Sequence, residues 1–214
     1  GYGIAFQHAA ITNNTTIGSA TQTGNIDITA DSMLFVATTN AAIQGTGNLT
    51  FKPLTNSTPI EFGASGPLTK LVVPSAAFGS QIADGFSQIN IGSTSGSGAI
   101  STTADLTARD NLAIIGGSGP IQISNVINAG SNTLTLNSST SITESGAGSI
   151  TADKLLVLGT SGASTLQSAS NTVNVLAANT GSLAYVNSGA LTVGGIDSTS
   201  GVTTSGPISI ATGN

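Results

Sequence analysis

A chain of 214 residues with four Lys or Arg, nine Asp or Glu and one His carries a net charge of −5, and so few cations cannot neutralise a run of phosphates, which excludes nucleic acid as a partner. It has no cysteine, hence neither disulfides nor thiolate metal sites, and no continuous apolar run of the roughly twenty residues that a membrane-spanning helix needs. Sparse charge and few aromatics also mark disordered chains, but the apolar residues here are too regularly placed for that reading.

In chain order, the apolar residues come as alternating pairs: Ile26 and Ile28, Leu49 and Phe51, Leu71 and Val73, Ile89 and Ile91, Leu112 and Ile114, Leu134 and Leu136. The series continues with Leu156 and Leu158, Val173 and Val175, Leu183 and Tyr185, Leu191 and Val193, and Ile208 and Ile210. A period of two bounded by Gly, Asn and Ser predicts short strands. Leu49, Leu71, Leu134 and Leu156 follow Ile26, Leu49, Leu112 and Leu134 by 22 or 23 residues. Longer phrases return on the same period. Leu106-Thr107-Ala108 reappears 44 residues later as Ile150-Thr151-Ala152, and Ser118-Gly119-Pro120-Ile121 reappears 87 residues later as Ser205-Gly206-Pro207-Ile208. Ile28-Thr29-Ala30-Asp31 echoes the first of these phrases.

A period of this length marks a solenoid. Strands too short to form stable hairpins gain partners one turn above and below when the chain coils, and alternate residues stack into a core. The sequence therefore predicts an all-β parallel β-helix of about 22 residues per turn, one continuous domain over 1–214. Nine or ten turns at roughly 4.8 Å each give a rod on the order of 45 Å long. Gly116-Gly117, Asn128-Ala129-Gly130 and Gly146-Ala147-Gly148 supply corners. One stretch departs from the pattern: between Pro74 and Gln88, Phe78, Ile82 and Phe86 fall four apart, which predicts a short helical turn or folded loop packed on the solenoid. An antiparallel sandwich, with longer strands and no such echo, is the competing architecture.

Parallel β-helices also carry polysaccharide lyases and hydrolases, whose chemistry needs clustered carboxylates. The best cluster is Asp105, Arg109 and Asp110, which reads as a salt-bridged turn rather than a catalytic site. Asp31, Asp110 and Asp153 share a place in the repeated phrase, which points to a structural duty such as hydrogen-bonding a turn backbone. Gly194-Gly195-Ile196-Asp197 is an imperfect fragment of a calcium-binding nonapeptide. His8, the single imidazole, lacks adjacent partners for a triad or a metal site. Asn13, Asn14, Asn48, Asn56 and Asn137 begin Asn-x-Ser/Thr sequences that chance explains in so Asn- and Thr-rich a chain. The Thr residues drift in phase, against an ice-binding ladder. No catalytic, cofactor or metal-binding residue is assigned.

The run from Val173 to Tyr185 followed by Asn187-Ser188-Gly189-Ala190-Leu191-Thr192-Val193-Gly194 resembles repeats of the filamentous haemagglutinin-like exoproteins, as does Gln88-Ile89-Asn90-Ile91-Gly92 leading into Gly98-Ala99-Ile100-Ser101. The resemblance spans roughly residues 45 to 214. It implies a right-handed helix and the central shaft of a bacterial adhesin or exoprotein secreted through a partner pore. From it follow expectations of an extracellular or cell-surface location, a non-enzymatic role, and as partners neighbouring solenoid copies, the rest of a longer parent chain, surface glycans or a host receptor. The amino-terminal secretion motif of that family is not seen here, and no basic stretch leads into an apolar one, so a signal peptide is expected to have been removed or to lie outside these residues. The competing functional expectation is a carbohydrate-active β-helix enzyme or a glycan-binding solenoid.

Overall fold

Aliphatic residues at alternate positions favour extended backbone and put one apolar side chain in every two on a single face. In the computed structural model these segments coil into a parallel β-solenoid of about 8 turns with roughly 22 residues per turn. The structure describes residues 2–11, 16–35, 42–63 and 69–213, with side chains from residue 16 onward.

Three rows of strands face the core. The first row stacks Ile26–Phe35 by its leading residues on Asn48–Lys52, then Gln88–Gly92, Leu112–Gly117, the end of Val126–Ser138 and the middles of Ser149–Leu166 and Thr172–Asn187. Its inward column reads Ile26, Leu49, Ile89, Leu112, Leu134, Leu155 and Leu176, all buried. The second row joins Ile60–Gly63, Ile100–Thr102, Ile121–Ile123, Ser141–Glu144, the tails of the last two long strands, and Ile208–Thr212. A third, shorter row stacks Leu106 on Ile127 and Ile127 on Ile150. The recurrences are structural: Leu106 and Ile150 stand two turns apart in one column, and Ile121 and Ile208 four turns apart in another. Ile28-Thr29-Ala30-Asp31 does not belong with the first of these, because Ile28 stacks on Phe51 in the first row.

The rod is shorter than the sequence period predicts. Leu71 does not sit above Leu49; Leu49 stacks on Ile89, forty residues on, and Leu71 pairs with Ile60 in the second row. Residues 53–87 thus belong to one enlarged turn, and about 8 turns at ~4.8 Å give roughly 38 Å. Within that turn the four-residue spacing of Phe78, Ile82 and Phe86 produces a single 3₁₀ turn, Ser75–Ala77, and no α-helix. Gly79 (φ 83°) and Gly85 (φ 121°) take left-handed backbone that a helix cannot continue through. Ile82 bridges Ile43, and both Ile82 and Phe86 join the core.

A second correction concerns register. Leu134 stacks on Leu155, not Leu156, so Leu155 and Val157 fill the core while Leu156 and Leu158 face outward. In the next turn Leu176 points in, and Val175 and Ala177 join Leu156 and Leu158 outside. This outer apolar strip is covered. The final turn stays in register at Val193 opposite Leu176 and resumes at Val202 opposite Ala178. Between them an antiparallel hairpin, Gly195–Ile196 with Thr199–Ser200, folds back and buries Ile196 against Leu156 and Ala177. On that final turn Val193 and Ile208 are about half exposed, at 49% and 51%.

Candidate functional site: the Glu144 corner

One core column contains a carboxylate. The inward positions that end the second-row strands are Phe62, Thr102, Ile123, Glu144, Leu166, Tyr185 and Ile210. A side chain there reaches the corner where the chain leaves the row. Thr102 shows the duty of such a position: its Oγ1 accepts the backbone N–H groups of Ser124 (2.8 Å) and Asn125 (3.0 Å) in the following turn. Glu144 does the same on a longer arm. Its Oε2 accepts the Ser168 N–H (2.8 Å) and the Asn171 amide (3.0 Å).

Its other oxygen, Oε1, is buried and has no hydrogen-bond partner among the described residues. Burial pushes the Glu144 carboxyl above the ordinary glutamate range, and the two hydrogen bonds on Oε2 only partly oppose the shift. Among the described residues no cation forms an ion pair with it. Tyr185, in the same column, feels both effects: burial first, then the Glu144 charge, push its phenol above its usual range.

Two asparagines complete a polar seam through the core. Asn171 is fully buried; its Oδ1 accepts the Ile150 N–H (2.7 Å), and its amide also donates to Val186 O (3.2 Å). Asn187, one turn on, accepts the Val173 N–H (2.9 Å) and the Tyr185 hydroxyl (3.0 Å), and donates to Val173 O, Gly189 O and Ala190 O. These amides replace the backbone ladder where the chain bends, which satisfies buried groups that would otherwise be orphaned.

Around Glu144 lies an open cleft of about 240 Å³ lined by Glu144, Ser145, Gly146, Gly148, Thr165, Gln167 and Ser168. The corner Ser145–Gly148 forms its rim. Gly146 takes φ 61°, and at Gly148 a Cβ would come within 2.1 Å of Ile123 O, so the rim stays low and close to the preceding turn. Ser145 extends a polar line toward that turn, its hydroxyl 3.0 Å from Ser124 Oγ and 3.3 Å from the Gln122 amide.

The residues singled out from sequence sit elsewhere, and Asp31 and Asp110 bond loop backbone as their place in the repeated phrase suggests. The salt bridge expected among Asp105, Arg109 and Asp110 is not formed; among the described residues the ion pair joins Lys70 and Glu61. Asp105 accepts the Val126 N–H (3.0 Å). Asp110 is buried and accepts the Gly85 N–H (3.0 Å), fastening the enlarged turn, and Arg109 lies against Gly79. Burial, and then the neighbouring Asp84 carboxylate, hold the Asp110 carboxyl above its ordinary range against the Gly85 hydrogen bond. Asp31 accepts the Thr55 N–H (2.7 Å), the Thr55 hydroxyl (2.7 Å) and the Thr58 hydroxyl (2.9 Å). Desolvation works upward on Asp31, but these bonds outweigh it and hold the carboxyl below its ordinary range. Asp153 accepts the Asn174 amide (3.0 Å). The repeated phrase thus misleads about equivalence, since Asp110 and Asp153 precede the first row while Asp31 follows it.

Gly194-Gly195-Ile196-Asp197 opens the covering hairpin, with Asp197 at its tip in left-handed backbone (φ 50°). His8 pairs with Ser32 through its strand register, and its side chain lies outside the described residues, as do Asn13 and Asn14. Asn56 is exposed in a loop, whereas Asn48 and Asn137 are half-buried in strands. The outward second-row column Ser101, Gln122, Thr143, Thr165, Ala184, Ser209 is polar without being a threonine ladder. Glu144 was not singled out from the sequence. Its signal is phase: Ile142-Thr143-Glu144 repeats Ile121-Gln122-Ile123 with an acid where the alternation calls for an aliphatic.

Comparison with protein-family models, curated proteins and solved structures finds no match.

Proposed function

We propose that this chain is a structural and adhesive rod, a stalk or filament segment of a bacterial surface adhesin or secreted exoprotein, working outside the cell and without catalysis. The observation that carries this reading is the architecture itself: about 8 stacked turns around one continuous apolar core. Parallel stacking makes each turn depend on its neighbours, so stiffness and length come before any single site. The outward second-row column Ser101, Gln122, Thr143, Thr165, Ala184 and Ser209 carries no charge. Such a face offers repeated weak contacts to glycans or to adjacent rods. The resemblance to filamentous haemagglutinin-like repeats supports the same reading. Unpaired strand edges recruit further strands, and with Val193 and Ile208 half exposed on the final turn, the fitting partner at that end is another solenoid turn, from the same parent chain or from a second copy.

The test is attachment. Beads coated with the chain should bind glycan-bearing cell surfaces more than beads coated with a charge-matched solenoid of unrelated surface. Equal binding, or release of reducing ends or unsaturated products from polysaccharides, would overturn the non-enzymatic adhesive reading.

A further inference from the structure

The enlarged turn returns to the rod through Asp84-Gly85-Phe86, and Asp84 is the one aspartate in the chain that a glycine follows. A peptide nitrogen can close on the side-chain carboxyl of the residue before it, because the five-membered ring joins ends that are already tethered. At the other aspartates the following residue carries a side chain, and in Asp27-Ile28, Asp31-Ser32 and Asp153-Lys154 the peptide also lies within a strand. Asp84 and Gly85 are exposed and lie outside any strand. A Cβ placed on Gly85 would meet, beyond the adjoining residues, only Gly45 O at 3.9 Å.

Asp110 distinguishes this peptide. It is 7% exposed, and its carboxylate accepts the Gly85 N–H (3.0 Å) and the Phe86 N–H, and shares a hydrogen bond with the Asp84 carboxyl. One buried group thus touches both the nitrogen that would attack and the carboxyl that would be attacked. We infer that Asp84-Gly85 is a self-modification site, where the chain closes a succinimide and reopens it as isoaspartate, with Asp110 as the base.

The step balances within the chain. Two carboxyls hydrogen-bond to each other only with a proton between them, and the reactive microstate places that proton on Asp84 and leaves Asp110 a carboxylate. Burial, which raises the Asp110 carboxyl, makes its ionised form the stronger base. Asp110 takes the Gly85 proton as the Gly85 nitrogen bonds to Asp84 Cγ, then returns it to the departing hydroxyl. The Asp84 Cγ–O bond breaks and one water leaves. Water then adds at either ring carbonyl. Opening at Cγ restores aspartate; opening at the main-chain carbonyl leaves the peptide running through Cγ. That second product lengthens the backbone by one carbon, draws the Gly85 N–H away from Asp110 and loosens the limb that sets Phe86 in the core. Arg109, beside Asp110 in sequence, lies against Gly79 and forms no ion pair with either carboxylate among the described residues.

This inference is independent of the adhesive reading. The test incubates the intact folded chain in heavy-oxygen water and maps its peptides by mass spectrometry, with electron-transfer fragmentation to separate aspartate from isoaspartate. The expected result is one heavy oxygen gained at residue 84, at least about tenfold faster than at any other aspartate and faster than in the same chain unfolded in guanidinium. The rate should follow a bell in pH, falling where the carboxyl pair loses its shared proton and again where Asp110 itself is protonated. Asp110→Asn keeps an acceptor for the Gly85 N–H without a base, and should slow labelling about tenfold or more and remove the bell. Labelling at residue 84 no faster in the folded chain than in the unfolded one, or undiminished in Asp110→Asn, would overturn the site. The folded-against-unfolded comparison uses the unaltered chain, so it decides even where the variant fails to fold.

Discussion

Replacing Asn187 with Leu removes its hydrogen bonding while keeping the number and branching of its side-chain heavy atoms. Asn187 is 2% exposed and takes part in five hydrogen bonds with Val173, Tyr185, Gly189 and Ala190. Leucine fills the space but leaves the Val173 N–H and the Tyr185 hydroxyl, both inside the core, without acceptors. A buried group stripped of its partner costs about 1–3 kcal/mol, so two give a loss of about 2–6 kcal/mol, a large share of the 5–15 kcal/mol typical of a domain. In a solenoid the loss falls first on the turns that touch it. Hydrogen exchange should therefore speed up across residues 171–213 before urea unfolds the rest, and the urea midpoint should drop. Asn174→Leu is the control: that side chain is exposed, and its substitution should change stability by no more than about 0.5 kcal/mol. A loss below about 1 kcal/mol for Asn187→Leu, or one no larger than the control's, would refute the claim that the amide seam holds the corner.

Glu144→Gln keeps an acceptor on the Ser168 N–H and removes the charge. Because the folded-state pKa of Glu144 is raised above the ordinary 4.5, its contribution is present below that value and is lost as pH rises through the raised pKa; thermal melts should show wild-type stability falling over that window while the variant's stays flatter. Asp31 has the opposite sign. Its pKa is lowered from 3.8, so its contribution is present above that value and lost as pH falls, and Asp31→Ala should cost about 1–2 kcal/mol at neutral pH and flatten the acid limb of a melting profile. Gly159→Ala places a methyl group 1.8 Å from Ser138 O at φ 141°, so it should lower stability by more than about 2 kcal/mol in urea unfolding.

Much of the fold was legible because a solenoid writes its period into the sequence. Leu112 to Leu134 and Leu106 to Ile150 are spaced by whole turns, and each such pair shares a column. Legibility failed where apolar residues were consecutive or where the turn changed length. In Leu155-Leu156-Val157-Leu158 either phase gives an alternating pair, and a slip of one residue exchanges core for surface; only the covering hairpin, forty residues later in sequence, explains why both faces are apolar. The match of Leu71 to Leu49 was numerical coincidence inside an enlarged turn. The salt bridge expected among Asp105, Arg109 and Asp110 was misread by looking for partners along the chain, whereas the backbone-bonding duty expected of Asp31 and Asp110 is the one they perform. Asp31, Asp105, Asp110 and Glu144 all bond to groups 21 to 27 residues away, one turn up or down the rod.

The most direct test of the parallel solenoid is methyl NOE spectroscopy on the Ile, Leu and Val-labelled chain. The account predicts one unbroken ladder of contacts, Ile89 to Leu112, Leu112 to Leu134, Leu134 to Leu155 and Leu155 to Leu176, with Leu156 in contact with Ile196 instead. A ladder through Leu156, or contacts in the crossed pattern of antiparallel strands, would contradict it.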